Sequence, residues 1–73
     1  MKAVMFLNPT GVDKSVLKEI KSRLIEEEIT PVMYESDEDI KSSDFAIAFG
    51  GDGTIIHAAK LCSAYKKSVL GIN

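Results

Sequence analysis

Cysteine occurs once, at Cys62, so no intrachain disulfide can brace the chain. Histidine also occurs once, at His57, and one thiol with one imidazole does not make a set of zinc ligands. A lone thiol suits a reducing compartment, and a cytoplasmic location is expected. Long apolar runs are missing. None exceeds the five residues of Ala3 to Leu7, against about 20 for a membrane span and about 7 to 15 for a secretory core. No membrane partner is expected. An excess of positive charge is missing too: 9 basic residues face 11 acidic ones, and only Lys66 and Lys67 are adjacent among the basic residues. Such a chain offers no basic stripe to a nucleic-acid backbone, and no nucleic-acid partner is expected. There is no internal repeat or low-complexity segment.

What is present is one small domain at most, 73 residues with 45% apolar side chains. A chain of this size buries only about 60% of the surface its unfolded form exposes, so its core is thin and its stability marginal without a partner. Ala3-Val4-Met5-Phe6-Leu7 reads as a buried strand that stops at Asn8-Pro9-Thr10-Gly11, where proline and glycine break regular structure. From Asp13 to Glu28, Val16, Leu17, Ile20, Leu24 and Ile25 recur at helical spacing, with lysines on the other face. Asp13 suits the N-cap, Glu19 and Arg23 can pair one turn apart, and Glu26 to Glu28 oppose the helix dipole, so fraying is expected near Glu28.

Thr30 to Tyr34 has strand character, and Pro31 assigns it to an edge. Glu35 to Ser43 is acidic and reads as a solvated connection with one possible turn of helix around Ile40. Phe45 to Phe49 is a further buried strand, ending abruptly in Gly50-Gly51-Asp52-Gly53-Thr54. A second helical pattern runs through Ile55, Ile56, Ala59, Cys62 and Tyr65, and Val69 to Ile72 is a fourth strand. Strands alternating with helices imply an α/β fold with parallel pairing and right-handed crossovers. The expected architecture is a three-layer sandwich around a four-stranded parallel, Rossmann-like sheet of strand order 2-1-3-4. Its switch point would bring Asn8 to Gly11 and Gly50 to Thr54 to one crevice. Two helices cannot cover both faces of such a sheet, so bare apolar surface and self-association into a homo-oligomer are expected.

Three glycines in four positions, between a buried strand and a helix start, let the backbone turn and let a ligand approach without a Cβ in the way. The following helix presents unpaired N–H groups at its positive end, a phosphate-binding arrangement. It is neither the dinucleotide fingerprint G-x-G-x-x-G nor a Walker A loop, which ends in Gly-Lys-Ser/Thr. Asp52 is the unusual member. A carboxylate beside phosphate is repelled unless it holds Mg²⁺ or accepts the proton of a hydroxyl being phosphorylated, and both roles point to phosphoryl transfer. The plain alternative is that Asp52 caps the helix and the glycines only turn the chain.

The stretch Phe49-Gly50-Gly51-Asp52-Gly53-Thr54-Ile55-Ile56-His57-Ala58-Ala59 resembles the signature of the NAD kinase family, and Leu70-Gly71-Ile72-Asn73 resembles the start of its next motif. The Gly-Gly-Asp-Gly-Thr core alone is also similar to diacylglycerol and sphingosine kinases and to phosphofructokinases. Lipid kinases usually continue into a Val-Asn-Glu type helix and a Pro-x-Gly-Thr segment, whereas Ile-Ile-His-Ala-Ala and Leu-Gly-Ile-Asn follow here. Asn8-Pro9-Thr10-Gly11 does resemble the Asn-Pro-x-Ser-Gly opening of lipid kinases.

The resemblance implies transfer of a phosphoryl group from ATP or polyphosphate to the ribose 2'-hydroxyl of NAD, giving NADP, with Mg²⁺ or another divalent ion. It implies Asp52 as the catalytic proton acceptor, Gly53 as a contact to the NAD ribose region, and Gly50, Gly51 and Thr54 as shapers of the loop. Residues 1–73 would form the N-terminal α/β nucleotide-binding segment, with an Asn-Glu motif and a β-rich C-terminal domain lying beyond Asn73, and the segment alone would be inactive. A lipid kinase segment and a non-catalytic nucleotide-binding or interaction module are the alternatives. Elsewhere, Cys62 reads as a small core residue, His57 as a surface or half-buried histidine that could face the site, Met1, Met5 and Met33 as core or terminus, and Tyr34 and Tyr65 as half-exposed rings.

Overall fold

Ala3 to Phe6 and Ala46 to Phe49 are apolar on both sides of the pleat, and strands of that kind are stable only between two covered faces. The computed structural model, which describes residues 1–8 and 13–72, sets them side by side at the centre of a sheet. The elements run β1 (Lys2–Leu7), α1 (Lys14–Glu26), β2 (Thr30–Met33), α2 (Asp37–Lys41), β3 (Phe45–Phe49), α3 (Asp52–Ser63) and β4 (Val69–Ile72). All pairings are parallel and the strand order is β2-β1-β3-β4, as expected. Val4 lies between Val32 and Ala46, and Ile47 between Met5 and Leu70. Pro31 sits in the edge strand β2, where its missing N–H costs no sheet hydrogen bond if it faces solvent.

Side chains alternate between two packed layers. Ala3, Met5, Ile47 and Phe49 face α1, which contributes Leu17, Ile20 and Leu24. Val4, Phe6, Ala46 and Ala48 face the other way, onto Ile40 of α2 and Ala58 and Cys62 of α3. The apolar face of α1 is narrower than its sequence suggests, because Val16 and Ile25 are exposed. The phase of α3 also differs from expectation. Its inward residues are Ile55, Ala58, Cys62 and, just beyond its end, Tyr65, while Ile56 is 54% exposed and Ala59 is exposed as well. A helix has one face per 3.6 residues, and Ile55 and Ile56, 100° apart, cannot both lie at its centre.

Each connection has a local cause. The Asp13 carboxylate accepts from the Ser15 N–H at 2.9 Å and the Ser15 hydroxyl at 3.0 Å, capping α1. Where fraying is expected, the chain instead closes. Glu28 takes a left-handed φ of 62°, its N–H donates to Ile25 O at 3.0 Å, and the Ile29 N–H donates to Leu24 O at 2.8 Å, a Schellman turn without glycine. The acidic connection is only partly solvated. Asp39 Oδ2 accepts from the N–H groups of Glu35 and Ser36 at 2.9 and 3.0 Å, which starts α2 and turns Ile40 into a fully buried core residue. At the far edge, β4 leaves Leu70 and Ile72 exposed beyond the reach of α1, the expected bare apolar surface. Among the described residues no helix is long and apolar enough to cross a membrane.

Candidate functional site at the carboxyl ends of the strands

β1 crosses over to β2 on one side and β3 to β4 on the other, so the carboxyl ends of β1 and β3 flank the point where the chain changes direction. Two hydrogen bonds tie the loops there: the Asn8 N–H donates to Phe49 O at 3.4 Å and the Gly50 N–H to Ile72 O at 3.0 Å. Pro9, Thr10 and Gly11 of the first loop lie outside the described residues, as does Asn73 of the last motif.

The three glycines do different work. Gly50 has φ +135°, and a Cβ there would stand 3.2 Å from the Asn8 Cβ and 3.3 Å from the Thr54 hydroxyl. Glycine is required at that position by conformation and by space. Among the described residues, and apart from their chain neighbours and the helix backbone, Gly51 and Gly53 have no atom within 4 Å of where a Cβ would be. Nothing among the described residues requires their missing side chains, whereas a ligand approaching the backbone would. Gly51 is the N-cap of α3 and makes no side-chain cap bond; the Thr54 N–H donates to Gly51 O at 3.1 Å, which leaves the Asp52 and Gly53 amides of the first turn open to an incoming acceptor.

Asp52 is the first residue of α3, not its cap, which removes the capping alternative for its carboxylate. It is exposed, and among the described residues no hydrogen bond or ion pair holds it. The negative charge is favourable at this end of the helix dipole. Beside it opens a cavity of about 590 Å³, within the usual size range for small-molecule sites. Its walls come from the end of β1 (Phe6, Leu7, Asn8), the end of β2 (Met33, Tyr34), the loop (Gly51, Gly53, Thr54) and His57 of α3. Gly50 and Asp52 do not line it. His57, one turn after Gly53, does face the site although it is exposed.

A second polar cluster went unforeseen. The Tyr34 hydroxyl donates to Asp37 Oδ1 at 3.2 Å and the Tyr65 hydroxyl to Asp37 Oδ2 at 2.8 Å. The Tyr34 ring also stacks on Phe6, with centroids 4.5 Å apart, and Lys41 Nζ sits 5.4 Å from the centre of the Tyr65 ring. The hydrogen bond to Asp37 pushes the Tyr65 hydroxyl above the ordinary tyrosine range, and desolvation followed by the same carboxylate does so for Tyr34. Tyr65 lies 28 positions from Asp37, and no local pattern joins residues so far apart. Cys62 is buried as expected, and burial pushes its thiol up and makes it inert.

Residues 3–73 match the family model of the ATP-NAD kinase N-terminal domain. The chain belongs to this family. It is 52% identical over 31 residues to the NAD kinase of Caldanaerobacter subterraneus subsp. tengcongensis, a stretch covering 42% of this chain and 11% of that protein. It is 48% identical over 40 residues to the NAD kinase of Campylobacter jejuni, covering 55% of this chain and 14% of that protein. The NAD kinase of Thermoanaerobacter pseudethanolicus is 48% identical over 31 residues, 42% of this chain and 11% of its own length. The chain thus aligns with only a small part of the curated relatives it matches. No solved structure matches it.

Proposed function

We propose that this member of the ATP-NAD kinase N-terminal domain family contributes the phosphate-binding loop and the proton-accepting carboxylate of an NAD kinase. The observation that carries the reading is the loop itself. Gly51 and Gly53 leave open space at the start of α3, and the unpaired Asp52 carboxylate stands between them at its first turn.

In this reading the Asp52 and Gly53 amides at the start of α3 receive phosphate oxygens, with Thr54 beside them and Gly50 holding the loop's shape. The Asp52 carboxylate accepts the proton of the ribose 2'-hydroxyl of NAD as that oxygen bonds to the γ-phosphorus. The bond from the γ-phosphorus to the β–γ bridging oxygen breaks, and NADP and ADP result. Gly53 borders the NAD ribose. A divalent ion fits the residues present in one mode. Among the described residues there is no cluster of three or more candidate ligands, but Mg²⁺ is ordinarily held by one or two carboxylates together with substrate phosphates, and Asp52 could be such a carboxylate. When bound, the ion neutralises charge on the phosphates. The remaining contacts to NAD would come from a β-rich domain outside residues 1–73, so the segment alone would not turn over. A cytoplasmic location accords with the substrates, and the exposed Leu70 and Ile72 on the edge strand β4 support association with further protein, including a second copy.

Replacing Asp52 with Asn in the kinase that carries this chain tests the assignment. Asn keeps the size but cannot take the proton, so kcat should fall by about 10² to 10⁴ while NAD affinity changes little. Wild-type turnover would refute the role. Recovery of rate at high Mg²⁺ would make Asp52 a metal ligand instead.

A further inference from the structure

We infer that His57 is a binding residue of the proposed site, its imidazolium supplying the positive charge that a phosphate chain meets at the glycine loop. This rests on the kinase reading above. Two backbone N–H groups, those of Asp52 and Gly53, do not balance the charge of a phosphate, and a cationic side chain holds such oxygens through stronger, charge-assisted hydrogen bonds. Among the described residues that line the cavity there is no lysine or arginine. The ionisable ones among them are His57 and Tyr34. Tyrosine has no cationic form, so the charge falls to His57.

Helix geometry aims the ring. His57 stands four residues after Gly53 and three after Thr54, which places all three on one face of α3, and all three line the cavity. Helical side chains tilt toward the N-terminus and cover the turn before their own. For His57 that turn includes Gly53, where, apart from chain neighbours and the helix backbone, no described atom lies within 4 Å of a Cβ position. The missing side chain clears the path from the imidazole to the oxygens received by the amides. Among the described residues no hydrogen bond or ion pair holds the ring elsewhere. A phosphate at the loop thus takes amides from the first turn and a ring N–H from the next.

The surrounding groups leave the imidazolium without a competing partner in the cavity. From the end of β2, Tyr34 has its hydroxyl raised above the ordinary tyrosine range and stays neutral, and Asp37 of α2 behind it accepts from both tyrosine hydroxyls. The end of β1 brings Leu7 and Asn8, neither ionisable. On α3 itself, Asp52 stands in the first turn and Lys60 in the last, and neither lines the cavity. Bound phosphate is then the opposite charge facing the ring, and such a charge within about 4 to 6 Å favours the protonated form. Histidine is the side chain type whose charge changes between about pH 5 and 8. Phosphate affinity and protonation of His57 are thereby linked, and affinity should weaken as rising pH removes the proton.

Titration calorimetry on the kinase carrying this chain, with inorganic tripolyphosphate and with ATP at matched free Mg²⁺, compares the unaltered protein with His57→Asn and His57→Arg. His57 is exposed, so neither substitution should disturb the fold. Both ligands have ionisations of their own near neutrality, which cancel in the ratio of two proteins' affinities. The ratio of unaltered to His57→Asn affinity should approach about tenfold at about pH 6, the lower end for a hydrogen bond between charged groups because the ring is exposed. It should fall to near unity by about pH 8.5. Both ligands should show the same ratio, since they share the phosphate chain. His57→Arg, charged throughout, should bind tightly at both pH values. A ratio of one at the lower pH, a ratio that does not change with pH, or a loss for ATP with none for tripolyphosphate overturns the inference. NADP formation with affinities indifferent to His57 leaves the transfer reading standing without the inference. Affinities that depend on the His57 charge, with no NADP formed from any donor, do the reverse.

Discussion

Ile40 decides whether the acidic connection is a solvated loop or part of the core. It is 0% exposed, packed with Val4, Phe6, Ala46, Ala58 and Cys62 beneath a helix of five residues. Truncating a buried isoleucine to alanine removes its transfer free energy and leaves a cavity that rigid surroundings fill only partly, at a cost of about 2 to 5 kcal/mol. The neighbours here are two sheet strands and α3, which cannot collapse far, so the upper half of that range is expected for Ile40→Ala. A chain of 73 residues at roughly 0.05 to 0.15 kcal/mol per residue has only about 4 to 11 kcal/mol in total. The loss would therefore consume a third of the stability or more. Ile56, the same side chain at 54% exposure, is the control, and Ile56→Ala should stay within about 0.5 kcal/mol. Urea unfolding followed by far-ultraviolet circular dichroism reads both as midpoint shifts at constant m. Equal shifts for the two variants, or less than about 1 kcal/mol for Ile40→Ala, would refute the packing argument.

The sheet was legible because its signals are local: short apolar runs ended by glycine or proline, one proline excluding a central strand, and alternation that leaves only a few strand orders. The glycine loop was legible for the same reason, since five adjacent residues carry it. What escaped was set by tertiary contact. Ile40 looks like an isolated apolar residue in an acidic stretch, and only the sheet face above it explains its burial. Ile55 and Ile56 are equally apolar, and the choice between them depends on where the helix starts and which side the sheet occupies. The Tyr34–Asp37–Tyr65 cluster joins the ends of β2 and α3 through a carboxylate that in sequence is one of several acidic residues. The different roles of Gly50 and Gly53 were also hidden, because composition cannot tell a glycine required by the fold from one left open for a ligand.

That last distinction makes a direct prediction. Gly50→Ala must force a side chain into a left-handed backbone and against Asn8 and Thr54, and should lower stability by roughly 1 to 3 kcal/mol; Gly53→Ala meets open space and should unfold at nearly the parental urea midpoint while weakening nucleotide binding. A Gly50→Ala protein of unchanged stability would contradict the loop geometry. The pH dependence has two limbs of opposite sign. Backbone N–H donors, Ser36 first and then Glu35, hold the Asp39 carboxyl below its ordinary range, and those of Ser15 do the same for Asp13. A carboxyl whose folded pKa is depressed contributes stability that is fully present above its unfolded value of about 3.9 and is lost as pH falls through the folded value. Tyr34 and Tyr65 are raised, so their contribution is present below about 10 and is lost as pH rises through the folded value. Stability from these four groups should be flat from about pH 5 to 9 and fall on either side. Asp39→Asn should flatten the acid limb and leave the alkaline one, and Tyr65→Phe should do the reverse. Both pairs are largely solvent-screened, so the changes should be modest; their separation between the two limbs is what urea midpoints measured across pH would read. An alkaline limb unaltered in Tyr65→Phe would mean that the bond to Asp37 contributes nothing to holding α2 against the end of α3.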